Sequence, residues 1–373
     1  MKTTTTMRRI PECGTDATRT SQSNRGATAL PINEVLVGDA REQLRRLASE
    51  SIDCVMTSPP YHLLRRYNGG KHEIGGTISI GDYVAEIASV MREVRRILKP
   101  SGSVWLNLGD SFSRAEQYGA PPKSLLLGPE RIALALSDDG WTIRGKVIWA
   151  KRNPMPTSAK DRLACTWEPI FHLTKGRDYF FDLDAIRQTC SGPGQQRCRP
   201  PKNVTPAGRR APSKEPWRGP LAGNQSGLAQ MRGRGLSGHV LGKNPGDVWR
   251  LSTSGFRSDH HAAFPPELVE RPILSTCPEA VCATCGLLWR RSPLPQMLGS
   301  LAIRGVLRKS CGCEKRDHEP GVVLDPFIGA GTTGLVAERL KRRWIGIELN
   351  PSFAQLARDR ISSDLVMASG GIR

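Results

Sequence analysis

The sequence predicts an α/β fold: a mixed, mostly parallel sheet with helices on its faces, interrupted by one irregular insertion and one small cysteine-rich insertion. Three observations predict it. β-rich runs alternate with helical periodicity over 33–150 and again over 321–361, the pattern of strand–helix–strand units that build a parallel sheet covered on both faces. Between them the periodicity stops in a segment dominated by Gly, Pro, Arg, Ser and Gln, which cannot bury enough apolar surface to form a layer of its own. The chain has 373 residues, enough for one sizeable domain with a smaller module attached.

Residues 1–30 are rich in Thr, Ser, Arg and Gly and are expected to be a disordered arm, because ordering them costs more entropy than their burial returns. The first half of the domain is expected over 31–190. There 34–37 is a β-rich run, 41–48 repeats Leu44 and Leu47 at helical spacing, and 52–56 is a second apolar run, which reads as strand, helix, strand. Over 83–98, Val84, Ile87, Met91, Val94 and Leu98 share a helical face. Lys99-Pro100-Ser101-Gly102 stops that helix, and 103–108 is the next strand. A helix over 125–136 and a strand over 141–150 follow. Trp105, Trp149 and Trp249, in or beside strands, are expected in the core.

Residues 191–246 form the irregular insertion, with ten Lys or Arg against one acidic residue, Glu215. By composition it is either a linker or a segment that orders on a polyanion. The second half of the domain is expected over 247–276 and 320–363. A helix starts after Phe264-Pro265-Pro266, since proline is accommodated in a first turn. The runs 321–324, 332–340, 344–347 and 352–361 then read as strand, helix, strand and helix. The cysteine-rich insertion, 277–319, separates the two pieces.

The formal net charge is +19, so the surface attracts polyanions at long range, nucleic acid before an anionic membrane. No run of 18 or more apolar residues occurs, and the N-terminus lacks the apolar core of a secretory signal. A cytoplasmic protein that neither spans nor rests on a membrane is expected; the sequence does not set its oligomeric state.

Two motifs carry chemistry. The first is Asp325-Pro326-Phe327-Ile328-Gly329-Ala330-Gly331-Thr332-Thr333-Gly334, between an expected strand and an expected helix. Glycines at such a turn let the backbone approach a ligand closely, and Glu348, at the end of the following strand, can accept the hydroxyls of a ribose. An adenosine-containing cofactor fits. Gly329, Gly331 and Gly334 also satisfy the dinucleotide spacing, which leaves a nicotinamide-dependent oxidoreductase open at this point. Thr332 and Thr333 suit an amino-acid tail better than a pyrophosphate. The second motif is Thr57-Ser58-Pro59-Pro60-Tyr61, at the carboxyl end of the 52–56 strand, where α/β sheets place their sites. Its prolines hold the Ser58 hydroxyl and the Pro59 carbonyl as acceptors for an amino group, and Tyr61 offers a face for an extruded base.

Together these motifs resemble the catalytic and cofactor signatures of the S-adenosylmethionine-dependent amino-methyltransferases that modify DNA. Their order, catalytic motif first, basic insertion second and cofactor loop last, resembles the permuted β group of that family. Gly38-Asp39-Ala40 resembles the strand beside the cofactor adenine, and 98–102 with Asn107-Leu108-Gly109-Asp110 resembles the helix-turn-strand after the catalytic loop. Residues 147–156 resemble the strand and loop flanking the target pocket, and 260–273, with His260, Phe264 and Pro265, resemble the cofactor-covering segment.

The resemblance implies a Rossmann-like methyltransferase domain, with 31–190 its catalytic half, 247–276 and 320–363 its cofactor half, and 191–246 its target-recognition insertion. Ser58, Pro59, Pro60 and Tyr61 are then the catalytic residues. Asp39, His260, Phe264, Pro265, Asp325, Phe327, Gly329, Gly331, Thr332, Thr333, Glu348 and Asn350 are those that bind S-adenosylmethionine. Duplex DNA is the implied partner, together with a cognate restriction endonuclease acting on the same site. Direct transfer to a flipped base is implied, and the absence of a Pro-Cys dipeptide speaks against the covalent carbon-5 route. Ser-Pro-Pro-Tyr resembles the cytosine-N4 group, with adenine-N6 as the alternative.

Cys282-Ala283-Thr284-Cys285 and Cys311-Gly312-Cys313 have the paired arrangement of a four-thiolate structural zinc site, with Cys277 as an additional ligand candidate. No histidine shows ligand spacing.

Overall fold

The computed structural model describes residues 29–64, 73–189, 239, 241–253, 264–292, 296–298 and 301–370. Most of the expected N-terminal arm, residues 1–28, and most of the basic insertion lie outside them, while Leu30 packs against the core. The chain divides into two compact units, Met1–Asp182 with Gly246–Trp289 and Lys309–Arg373, and Leu183–Pro245 with Arg290–Arg308. In the second, described residues form a short turn of 3₁₀ helix at Leu183–Ala185, a bridge between Gln188 and Lys243, and two small hairpins.

The first unit is built on an eight-stranded sheet. Its strands are β1 (Glu34–Val37), β2 (Ile52–Thr57), β3 (Leu98–Asn107), β4 (Thr142–Lys151), β5 (Trp167–Thr174), β6 (Val248–Leu251), β7 (Val322–Asp325) and β8 (Arg343–Glu348). Their order is β1-β8-β7-β2-β3-β5-β4-β6. All neighbours run parallel except at β5, which is antiparallel to both β3 and β4. The helices are α1 (Ala40–Arg46), α2 (Ile80–Ile97), α3 (Gly128–Asp138), α4 (Pro266–Thr276), α5 (Thr332–Arg339) and α6 (Pro351–Gly370). Among the described residues no helix is long and apolar enough to cross a membrane.

Local chemistry sets the boundaries. Asp39 caps α1 by accepting from the amides of Arg41 and Glu42, and Ser79 caps α2 through Gly81. Helix α2 buries Tyr83, Ile87, Val90, Met91, Val94 and Ile97 and stops where Pro100 ends helical continuation, so the chain passes into β3 at Leu98. The expected 125–136 helix begins only at Gly128, because Leu125 is bridged to Phe112 and Leu127 is left-handed at φ 54°. Inside the sheet, buried Asp53 on β2 pairs with Lys99 Nζ at 2.8 Å and accepts from the Val322 amide at 2.9 Å, joining β2, β3 and β7.

Strand β5 was not read from the sequence. Pro169 and His172 interrupt its apolar pattern, yet it sits between two strands. Pro169 has no N–H to donate to the sheet, but its carbonyl accepts from the Leu108 amide at 3.1 Å. His172 is buried against Trp105, ring centroids 4.2 Å apart, with Nε2 3.1 Å from Ser103 Oγ. Burial pushes its imidazole down to about 3, with Arg144 adding to the effect, so it packs as a neutral ring. Trp105, Trp149 and Trp249 are all core residues, as their strand positions predict.

Candidate active site

The sheet reverses its winding between β7 and β2: β7 leads through α5 to β8 on one side, and β2 leads through α2 to β3 on the other. Such a switch point opens a crevice at the carboxyl ends of the strands. Both sequence motifs lie there, and the structure joins them. Asp325 Oδ1, at the end of β7, accepts from Thr57 Oγ1 at the end of β2 at 2.6 Å and from the Phe327 amide at 3.0 Å. Asp325 Oδ2 accepts from Thr333 Oγ1 at 2.7 Å, and Thr333 Oγ1 also lies 3.3 Å from the Met56 carbonyl. Burial pushes the Asp325 carboxyl up to about 6, against the pull of Thr57, Thr333 and the Phe327 amide.

The glycine turn needs its glycines: Gly329 has φ 48° and Gly331 φ 82°. A Cβ at Gly331 would also lie 3.0 Å from Ala357 Cβ and 3.2 Å from its carbonyl oxygen. Gly331→Ala is expected to destabilise the fold by about 2 kcal/mol from the left-handed backbone and this crowding. Urea unfolding checks it, and a stability equal to the parent would mean the turn relaxes freely.

Along the same edge, Glu348 Oε2 accepts from the Gly329 amide at 3.0 Å and Oε1 from the Asn350 amide at 2.9 Å. Burial raises the Glu348 carboxyl despite those two amides. Asn350 Oδ1 takes the Ser352 amide at 2.9 Å at the start of α6. Asp39 follows β1, whose Val37 is in register with Glu348. Burial alone would raise the Asp39 carboxyl, but Arg41 and two backbone amides outweigh it and hold it below its ordinary value. Thr332 and Thr333 are both buried and engaged internally, Thr332 with Arg360 at 3.0 Å. Phe327 is half-buried beside the main core cluster. Phe264 and Pro265 lead into α4, which packs with α5. His260 lies outside the described residues.

Tyr61 lines a cleft of about 1140 Å³, and Ser58 precedes it in the same loop. The loop is held by Tyr83 Oη, which donates to the Pro60 carbonyl at 2.9 Å. The Tyr61 ring lies so close to Gly109 that a Cβ there would meet Cε2 at 2.2 Å. Ser58 Oγ donates to Tyr61 Oη at 3.2 Å, and Tyr61 Oη donates to Glu168 Oε2 at 2.8 Å. Glu168, from β5, also accepts from Asn107 Nδ2 at 3.2 Å and pairs with Lys151 at 2.5 Å. Sequence reading missed Glu168, because its place depends on β5 lying between β3 and β4. Trp167, Phe112, Arg162 and Met155 line the outer cleft.

Cys282, Cys285, Cys311 and Cys313 come together with their sulfurs all within 4.8 Å of one another. Backbone amides of Cys285 and Thr284 help to hold the Cys282 thiol down to about 6. Cys277 does not join them; it is fully buried in the core, its carbonyl accepting from Arg342.

A doubly wound sheet with a glycine turn and a buried carboxylate at its switch point defines the class of α/β enzymes that bind an adenosine-type cofactor. Residues 52–359 match the DNA methylase family. The chain is 32% identical over 350 residues to the Type II methyltransferase M.SmaI of Serratia marcescens, covering 88% of this chain and 90% of that protein. It is 31% identical to the Type II methyltransferase M.XycI of Xanthomonas campestris pv. cyanopsidis, covering 87% and 86%. In fold it is similar to the PvuII DNA methyltransferase (cytosine-N4-specific), with a TM-score of 0.53 at 19% identity, over 89% of this chain and 93% of that one. The chain belongs to the N6/N4 DNA methylase family.

Proposed function

We propose that this protein transfers a methyl group from S-adenosylmethionine to the N4 amino group of cytosine in duplex DNA, as a site-specific cytoplasmic modification enzyme. The observation that carries the reading is the Thr57–Asp325–Thr333 hydrogen-bond bridge, which holds the Ser58 loop beside the glycine turn at adjacent strand ends. Glu348 keeps acceptor lone pairs beyond its two amide bonds, which suits the hydroxyls of a ribose. Asp39 lies on the adenine side, Asp325, Phe327, Gly329, Gly331, Thr332, Thr333 and Asn350 form the cradle, and Phe264, Pro265 and His260 form its cover. Bound there, S-adenosylmethionine supplies an electrophilic methyl.

Ser58 Oγ and the Pro59 carbonyl accept the two hydrogens of the target amine. An aromatic amine is a poor nucleophile because its lone pair is delocalised, and these bonds favour a pyramidal nitrogen aimed at the methyl. Pro60 stiffens the loop, and the Tyr61 ring borders the space for a base turned out of the duplex at a cost of a few kcal/mol. The basic surface and the 191–246 segment supply phosphate and base contacts. The resulting mark protects the site from an endonuclease that recognises the same sequence. Ser58, where adenine-directed relatives more often carry Asp or Asn, favours cytosine.

The test is incubation of the purified protein with plasmid DNA and labelled S-adenosylmethionine, followed by nucleoside analysis. N4-methylcytosine is expected. N6-methyladenine would reassign the target, and no incorporation on DNA of varied sequence would end the reading.

The four-cysteine cluster fits structural zinc. A tetrahedral thiolate site with Zn–S near 2.3 Å separates its sulfurs by about 3.8 Å, and the thiols already lie within 4.8 Å. Such a site closes the 277–319 insertion and leaves no open position for chemistry. Metal analysis of the purified protein is expected to find one zinc per chain, with chelation lowering the melting temperature. A metal-free protein whose stability is indifferent to Cys282→Ser would overturn this.

A further inference from the structure

The hydroxyls between Ser58 and Glu168 have one direction. Ser58 donates to Tyr61, Tyr61 donates to Glu168, and the chain ends on a carboxylate that has no proton to return. Three elements converge on that carboxylate: the loop after β2 through Tyr61, β3 through the Asn107 amide, and β4 through Lys151, its one charged partner among the described residues. Glu168 is therefore fixed at the mouth of the relay, in the wall of the same cleft as Tyr61 and Lys151. A clamp joining β4 to β5 would need only the Lys151 pair. Directing Oε2 at the Tyr61 hydroxyl is an additional feature that such a clamp leaves unexplained. Burial pushes the Tyr61 phenol well above its ordinary value, and the Glu168 charge adds to this, so Tyr61 stays protonated and can pass a proton on without keeping a negative charge.

Resting on the methyl-transfer reading above, we propose that Glu168 is the terminal proton acceptor of the reaction, reached from the target amine through Ser58 and Tyr61. As the new N–C bond forms and the S–C bond breaks, the positive charge leaves sulfur for the amino nitrogen. The N–H bond facing Ser58 then breaks. Its proton goes to Ser58 Oγ, the Ser58 proton goes to Tyr61 Oη, and the Tyr61 proton goes to Glu168 Oε2. The products are a neutral methylated amine, a neutral thioether and a neutral carboxylic acid, and Glu168 returns its proton to solvent after the base leaves. Ordered donors polarise one another, so the same chain makes Ser58 Oγ a stronger acceptor while the nitrogen is becoming cationic.

The experiment is a double-mutant cycle on Tyr61→Phe and Glu168→Gln, with single-turnover transfer to duplex DNA in H2O and D2O and S-adenosylmethionine affinity by calorimetry. Phe keeps the ring against Gly109, and Gln keeps a carbonyl that can accept from Tyr61 but not take its proton. Each variant is expected to slow transfer by about 100-fold, the lower end of the usual contribution from general acid–base groups. The double variant is expected to be no slower than the worse single, since both break one chain. The solvent isotope effect of the parent is expected to disappear, with cofactor affinity unchanged as the check on folding. Parent-like rates in either variant, losses that multiply, or an isotope effect that survives Tyr61→Phe would overturn the relay while leaving methyl transfer intact. A parent protein that methylates no DNA would remove the reading of the site and the relay with it.

Discussion

Ser58→Ala is expected to reduce single-turnover methyl transfer by roughly 100- to 1000-fold, the range for loss of one hydrogen-bonding group that acts on developing charge, with S-adenosylmethionine affinity unchanged. The argument is local. Ser58 is half-buried, and the one bond its side chain makes among the described residues is to Tyr61. The loop itself is held by the Pro59-Pro60 backbone and by Tyr83 on the Pro60 carbonyl, none of which the substitution touches. An interaction made only as the amine turns pyramidal lowers the rate and spares binding. Rapid-quench transfer measured beside calorimetry separates the two quantities. Equal losses in rate and affinity would mean that Ser58 builds the loop instead of acting on the amine.

Most of the fold was legible because strand and helix periodicities are local. The strands at β1, β2, β7 and β8 and the helices after them needed only their own apolar spacing and a capping or stopping residue, such as Pro100 after α2. β5 was not legible: Pro169 and His172 read as a break, and only the neighbours β3 and β4 supply the carbonyl pairing and the Trp105 stack that make the strand sound. The candidate site divides in the same way. Thr57-Ser58-Pro59-Pro60-Tyr61 and the glycine turn are contiguous in sequence and could be read as motifs. Glu168 could not, since its partners come from the loop after β2, from β3 and from β4. Asp325 is intermediate, visible as the head of a motif but not as the group that bonds Thr57. The cysteine pairs were visible by spacing, whereas the exclusion of Cys277 follows from its burial in the core.

Asp325→Ala is expected to be the most destabilising single change at the site. It leaves the Thr57 hydroxyl and the Phe327 amide as buried donors without acceptors, while Thr333 can turn its hydroxyl to the Met56 carbonyl 3.3 Å away. Two orphaned donors cost roughly 3 kcal/mol together, and the β2 and β7 loops lose their link, so cofactor affinity is expected to fall with stability. Asp325→Asn should be milder, because the amide oxygen still accepts from Thr57 and Phe327 and the amide nitrogen can donate to Thr333. The acid form of Asp325 supplies a second signature. Its folded pKa is raised to about 6 from an ordinary 3.8, so the folded state holds a proton that the unfolded state releases between those values. Stability from this group therefore rises as pH falls from 7 through 6, and is fully gained only below about 4. The parent should gain about 1 kcal/mol relative to Asp325→Asn between pH 7 and pH 5, read as a widening gap in urea midpoints. A gap that narrows on acidification would mean Asp325 is held as a carboxylate, and that the two loops are joined by charge and not by a protonatable bridge.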